Sequence, residues 1–398
     1  MKALFLGAGA SYECGMPLVW EFTNGLRMNV LKRLNSHLFD FRRDPSLRTH
    51  LEALLSAPEL HYEQMIGELE ALYLQRGLHS DVAYTAARQL LDCVQVLLLE
   101  DQLNTTAMFG ERAKTYSGIR DLLARHPCLH VFSLNHDINF EEICKFHGVP
   151  YRDGFFDDAP QRYSNIARFK TLTASQMGAG KLNFYGPEDT GVNLIKLHGS
   201  LDVFAVEDKQ LYLKCIPEPR EPLGAHVLEV LKVEAHSREV CQRMQSRTVG
   251  ELNVNDLDGE LQFLRRSLLS GAQKFKGTFD QIAPLAFFHE FRTRMEDIVE
   301  LDVIGYGFGD PHINEVLAQW LKTVHTSLTI YDPYRKSVPP ELGDAVANVR
   351  IRNIGLTDYL NEAGNSKQPL LARGRRYLLD MAREDLRKRR LSVWQADT

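Results

Sequence analysis

The chain has no CxxC pair, no internal repeat, no low-complexity tract and no large excess of either charge. Its six cysteines (Cys14, Cys93, Cys128, Cys144, Cys215 and Cys241) are scattered over 398 residues, a spacing that suits neither a zinc ribbon nor a disulfide framework. We therefore expect no structural metal and reduced thiols, as in a cytoplasmic protein. Long hydrophobic runs are lacking as well. Residues 94–99 are the richest, bounded by Asp92 and Glu100, and residues 3–6 are too short for a signal peptide. The expectation is a soluble chain with no membrane partner. Lys plus Arg total 47 against 52 for Asp plus Glu, a net charge of −5 that argues against a surface dedicated to nucleic acid.

What is present is an ample apolar fraction, 44%, arranged as short buried runs that each end in glycine or polar residues. Residues 3–6 enter Gly7-Ala8-Gly9-Ala10-Ser11. Leu129, Val131 and Phe132 lead into Ser133-Leu134-Asn135-His136-Asp137. Val192, Leu194 and Ile195 lead into Lys196-Leu197-His198-Gly199-Ser200. Residues 301–304 lead into Gly305-Tyr306-Gly307-Phe308-Gly309-Asp310 with a helix expected from Pro311, and residues 327–331 end at Asp332. Between the first and second runs, residues 18–125 read as helical, with Val19, Phe22, Leu26, Val30 and Leu34 at helical spacing. Residues 210–214 alternate like a strand, 226–272 read as mainly helical, and Pro284 opens either a strand or a helix. Repeated strand, loop and helix predict an α/β fold: a Rossmann-like doubly wound parallel sheet with helical insertions at about 18–125 and, mixed, at about 206–280. The main domain is expected over 1–365 and a helical extension over 366–398. That extension carries nine basic and three acidic residues between 366 and 390, with Leu378, Met381, Ala382 and Leu386 as an apolar stripe. It reads as a docked helix with a basic outer face, or as a contact for a partner or nucleic acid.

In open α/β sheets the carboxyl ends of the strands are where ligands bind, so the polar residues there are the candidates. Gly7 and Gly9 let backbone approach a diphosphate, with Ser11 as a hydroxyl donor; a plain glycine turn is the alternative. An amide such as Asn135 suits a sugar hydroxyl or a water, and Asp137 suits either support of a developing positive charge or capping of the next helix. His198 is the candidate base. Gly305 and Gly307 are placed for the adenosine half of a dinucleotide and Asp332 for its ribose, although each also fits a simple strand-to-helix turn.

In this order, GAGAS with CGMP, SLNHD, KLHGS and GYGFGDPHIN resemble the sirtuin-like NAD-binding family, and GYGFGDPHIN resembles its bacterial branch of anti-phage defence. The chain departs from the deacylases: it lacks the four-cysteine zinc module, has Leu134 where they carry Gln, and follows Gly15-Met16-Pro17 with Leu18-Val19-Trp20. The resemblance therefore implies an NAD glycohydrolase with NAD as substrate, forming nicotinamide and ADP-ribose. It implies Asn135, His198 and Asp137 as catalytic residues, with Gly7, Gly9, Ser11, Ser133, Gly305, Gly307 and Asp332 contacting the dinucleotide. It further implies a homo-oligomer and a HerA-like ATPase partner. A non-catalytic NAD or ADP-ribose sensor, and an ADP-ribosyl or acyl transferase, are the alternatives.

Overall fold

The computed structural model describes residues 1–33, 45–75, 80–158, 160–218, 220–246, 250–268, 282–343, 346–365 and 370–392. The chain opens with β1 (Lys2–Leu6) and α1 (Ala8–Tyr12), followed by α2 (Val19–Arg33), α3 (Pro45–Ser56), α4 (Tyr62–Leu74) and α5 (Ser80–Asn104). Next come α6 (Thr106–Ala113), α7 (Gly118–Arg125), β2 (Cys128–Ser133), α8 (Asn139–His147) and β3 (Tyr151–Arg152). The middle holds β4 (Phe169–Thr173), α9 (Ala174–Gly178), β5 (Gly191–Lys196), β6 (Gly199–Val206), β7 (Leu211–Cys215), α10 (Ala225–Met244), β8 (Leu252–Asn255) and β9 (Leu261–Leu268). The chain then makes α11 (Ile282–Met295), β10 (Glu300–Ile304), α12 (Pro311–Trp320), β11 (Ser327–Tyr331), β12 (Val349–Arg352), α13 (Leu356–Ala363) and α14 (Leu370–Ser392).

Seven strands form one sheet in the order β12-β11-β10-β1-β2-β5-β3, every neighbouring pair parallel. With β3 set aside as an added edge, this is the doubly wound Rossmann order, and its switch point falls between β1 and β10. The central strands read as continuous apolar runs because helices cover both faces. Phe5, Phe132, Ile195 and Val303 pack with α11 and α12 on one face, while Leu4, Val131, Leu194 and Ile304 pack with α6, α7, α8 and α13 on the other. The fold is α/β, a Rossmann-like doubly wound parallel sheet with helical insertions. Helices α2 to α5 form the insertion proper and share a core with α10 and a second sheet. Although α5 is long and apolar enough to cross a membrane, Leu90, Val94 and Leu99 on it are in that core, and its buried Asp92 pairs with Arg266 at 2.8 Å.

The second sheet is antiparallel, in the order β4-β7-β6-β9-β8. It corrects the expectation of a mainly helical 226–272: among the described residues of that span only α10 is helical, and β8 and β9 form a hairpin. The turn is Asp256-Leu257-Asp258-Gly259, with Gly259 at φ +83° and the Asp256 amide donating to the Glu260 carbonyl at 3.0 Å. Asp-Gly between alternating strands is a hairpin signal, but the surrounding charges gave the segment a helical look. Residues 269–281 and Leu34 lie outside the described residues. Pro284 sits in the first turn of a helix, α11, where its missing amide proton is no loss.

The terminal helix keeps Arg373, Arg375, Lys388 and Arg389 on an exposed basic side, but of the expected apolar stripe only Leu386 is half-buried. Leu378 and Met381 are 64% and 50% exposed and Ala382 is also exposed, whereas Arg383 is 2% exposed. α14 docks through arginines. Arg383 donates to the Tyr12 and Met16 carbonyls and pairs with Glu21 at 2.9 Å, and Arg390 donates to the Gly15 carbonyl. The Met16 and Gly15 carbonyls belong to an irregular loop, and the two arginines supply donors to them.

Candidate functional site

The site is built where the parallel strands end. Gly7 and Gly9 at the end of β1 lie directly on Gly305 at the end of β10: a Cβ on Gly9 would stand 2.6 Å from the Gly305 Cα, and one on Gly305 would stand 2.4 Å from the Ala10 nitrogen. Gly305 also has φ +64°. Close approach of two backbones across the switch point thus demands these three glycines. Their amides are engaged too. Gly7 donates to the Ile304 carbonyl at 3.0 Å and Gly9 to the Gly305 carbonyl at 2.8 Å, so donors for a diphosphate must come from elsewhere. Gly307, by contrast, faces open space.

Asn135 follows β2 in a turn shaped by Ser133, whose hydroxyl accepts from the Asn135 amide at 3.1 Å. The Asn135 side-chain nitrogen donates to the Gly7 carbonyl and to the Ser11 hydroxyl, both at 2.9 Å. The acceptor end, Oδ1, is then what Asn135 offers to a ligand. Ser11 donates in turn to Asp137, forming a polar chain Asp137–Ser11–Asn135. Burial pushes the Asp137 carboxyl above its usual range, partly offset by Lys196, Ser11 and the Asn139 amide. The Asn139 amide donates to Asp137 Oδ1 at 3.1 Å, an Asx turn just ahead of Ile138, the N-cap of α8, so Asp137 shapes the entry to the helix without capping it. Lys196 at the end of β5 donates to the Asp137 carbonyl and to Ser200 Oγ, the latter at 2.9 Å. A small cavity bordered by Ser11, Ser133, Asn135, Asp137 and Lys196 lies at this junction.

His198 occupies the two-residue link between β5 of the parallel sheet and β6 of the antiparallel one, where Gly199 turns the chain at φ +77°. The ring is buried beside that of His136, centroids 6.2 Å apart, and His198 Nε2 stands 2.9 Å from Asp310 Oδ2. Asp310 is also the N-cap of α12, with Oδ1 accepting from the His312 amide at 3.0 Å and the Ile313 amide at 3.4 Å. Between Gly305 and Asp310, Phe308 is held at φ +60°, an uncommon conformation for an aromatic residue, and its carbonyl accepts from Asn314 Nδ2 at 2.8 Å. Asp332 ends β11 two strands from β1; its carboxylate accepts from the Tyr334 amide at 2.9 Å and pairs with Arg335 at 3.5 Å. Arg335 in turn stacks on Phe308 at 5.1 Å, which ties the Asp332 edge to the second glycine loop.

No family model and no curated protein matches the chain. Among solved structures it is similar to one described as "Structure of Sir2Tm bound to a propionylated peptide", at 11% identity and a TM-score of 0.37 over 92% of each chain. Likeness at that level carries no argument about activity. The fold assignment rests on the strand order instead.

Ser11, Ser133, Asn135 and Asp137 are brought into one hydrogen-bonded cluster, and His198 is placed beside the adjacent residue His136. Gly7, Gly9 and Gly305 form its backbone floor, while Asp332 stands apart along the strand edge. Sequence reasoning missed the pairing of Asp310 with His198 and the role of Lys196 in bracing the Asp137 turn. Asp310 had a local signal, an aspartate before proline at a helix start, but that signal announces a cap and not a partner 112 positions away.

Proposed function

We propose that the protein cleaves NAD to nicotinamide and ADP-ribose. The observation that carries the reading is that Asn135, anchored to the first glycine loop, and His198, anchored to the second, sit at the ends of adjacent strands beside the switch point. In the reaction the C1′–N1 glycosidic bond breaks and its electron pair stays with nicotinamide, which leaves neutral and needs no acid. A water oxygen bonds to C1′ of an oxocarbenium-like transition state, and its proton passes to a base. With its nitrogen committed, Asn135 would accept through Oδ1 from the ribose hydroxyl or the water. His198 would take the proton. Asp137 sits one hydrogen-bonded residue behind Asn135, where a carboxylate supports positive charge as it develops. Gly307, with open space over it, and Asp332 along the edge would meet the adenosine half, and Ser11, Ser133 and the backbone at Gly7, Gly9 and Gly305 would shape the floor.

A homo-oligomer, a HerA-like ATPase partner, a defence role and a cytoplasmic location belong to the same proposal through the resemblance. A binding-only reading is favoured by one observation, that the Asn135 nitrogen is spent on the Gly7 carbonyl and the Ser11 hydroxyl. The deciding experiment incubates NAD with the purified protein, alone and with the ATPase, and follows nicotinamide by chromatography. Release that falls by about 100-fold or more in both Asn135→Ala and His198→Ala is expected for the hydrolase. NAD binding without release supports the sensor, and release that persists in both variants overturns the catalytic assignment.

A further inference from the structure

We infer that Asp310 is a positioning residue for His198, holding the imidazole in its Nε2–H tautomer so that Nδ1 is the basic nitrogen. The inference rests on the hydrolase reading above and names which atom of its base does the work. An ionised carboxylate only accepts, so the ring nitrogen 2.9 Å from Asp310 Oδ2 must carry the proton. In a neutral imidazole the other nitrogen is then the lone-pair nitrogen.

The carboxylate is held in place from three sides. Its other oxygen accepts from the first amides of α12. Its own amide donates to the Tyr306 hydroxyl at 3.1 Å, and that hydroxyl stands 2.9 Å from Asn314 Oδ1. Asn314 then closes the circuit on the Phe308 carbonyl. The segment from Gly305 to Asn314 is thus one hydrogen-bonded unit whose outward product is a single fixed carboxylate oxygen. A helix cap alone needs only one oxygen; here the second reaches a side chain from the link between the two sheets. Both side chains are only 6% exposed, so water competes little for the contact. During cleavage, Nδ1 would take the proton of the attacking water as its oxygen bonds to C1′, and Nε2–H would stay on Asp310. The resulting imidazolium then faces a carboxylate, which favours the proton's arrival.

The test uses the full-length protein with 15N-labelled histidine. Long-range 1H–15N spectra are recorded above the imidazole titration, with the His198 signals assigned by their loss in His198→Gln. We expect Nε2 protonated in the wild type. Asp310→Asn keeps an oxygen for the cap and presents an amide donor to Nε2, so the tautomer should switch to Nδ1–H. With it, kcat should fall by about 1,000-fold and KM change by less than about threefold. A wild-type His198 protonated at Nδ1, or an Asp310→Asn variant with wild-type tautomer and kcat, overturns the inference. The wild-type spectrum decides even if the variant does not fold. If the wild type releases no nicotinamide, the hydrolase reading fails by itself, since the spectrum reports the tautomer independently of turnover.

Discussion

At the scale of single residues, burial sets the chemistry of several side chains before any ligand arrives. His130 on β2 is 1% exposed; desolvation first, and then the Arg294 guanidinium, lower its pKa to about 4. The unfolded chain, with an ordinary histidine near 6.5, binds the proton more readily, so this group weakens the fold as pH falls from 6.5 toward 4. The loss reaches about 3 kcal/mol below pH 4. His130→Gln should flatten that part of the stability curve in urea titrations across pH 7 to 4; an unchanged slope would contradict the assignment. Cys14, beneath the first glycine loop, is the opposite case. Its thiol is pushed up to about 12 by burial, so it stays protonated and inert at neutral pH. What the sequence says about such residues is identity and spacing; the shifts come from neighbours such as Arg294, 164 positions from His130.

At the scale of elements, two glycine loops and one helix carry the informative contrasts. Gly305→Ala adds a Cβ 2.4 Å from the Ala10 nitrogen at a left-handed φ, and should cost at least about 2 kcal/mol of stability. Gly307→Ala meets open space and should change stability by less than about 0.5 kcal/mol, so paired thermal melts distinguish a glycine in backbone contact from one that faces open space. The GAGAS and GYGFG loops were both legible as glycine turns at strand ends. Which glycine touches which was not, because β1 and β10 are neighbours only after the intervening chain has folded. The terminal helix shows the same limit from another side. Its leucines and methionine have helical spacing, but Leu378 and Met381 stay exposed and the carbonyls of the loop after α1 take arginines instead. Arg383→Ala leaves buried Glu21 with Arg390 alone, at 3.4 Å, and frees the Tyr12 and Met16 carbonyls, so it should cost at least about 2 kcal/mol, whereas Met381→Gln on the exposed side should change stability by less than about 0.5 kcal/mol. Chemical denaturation of the two variants tests docking through Arg383, and equal losses would refute it.

At the scale of the whole molecule, the two sheets meet at a buried cluster of charge. Lys214 on β7 lies 3.2 Å from Glu141 of α8, 3.0 Å from Asp153 after β3 and 3.6 Å from Asp202 of β6. Burial pulls the Lys214 ammonium down, but the three carboxylates hold it well above its ordinary value. Lys196 joins Glu141 at 3.3 Å, and His226 of α10 joins Asp202 at 2.9 Å. These contacts bind the parallel sheet to the antiparallel one on either side of the His198 link. Lys214→Met leaves three buried carboxylates short of a cation and should destabilise the protein by about 3–5 kcal/mol. It should also loosen the His198 link, seen as faster amide exchange at residues 197–201, while a variant with unchanged urea midpoint would remove the cluster from this role.

The alternation of buried runs with glycine-rich or polar ends was enough, in the sequence alone, to determine a doubly wound α/β sheet and the strand-end segments on which a site must be built. That information is local, because a strand buried on both faces needs an apolar run and its end needs residues that can turn. The tertiary structure alone decided the strand order that puts Gly7 and Gly9 on Gly305, the antiparallel hairpin at 252–268 and the arginine-docked terminal helix. It also decided the pairing of His198 with Asp310. Each of these depends on which distant groups leave an unmet hydrogen bond or an unpaired charge in the same buried space, and that is settled only when the elements have come together.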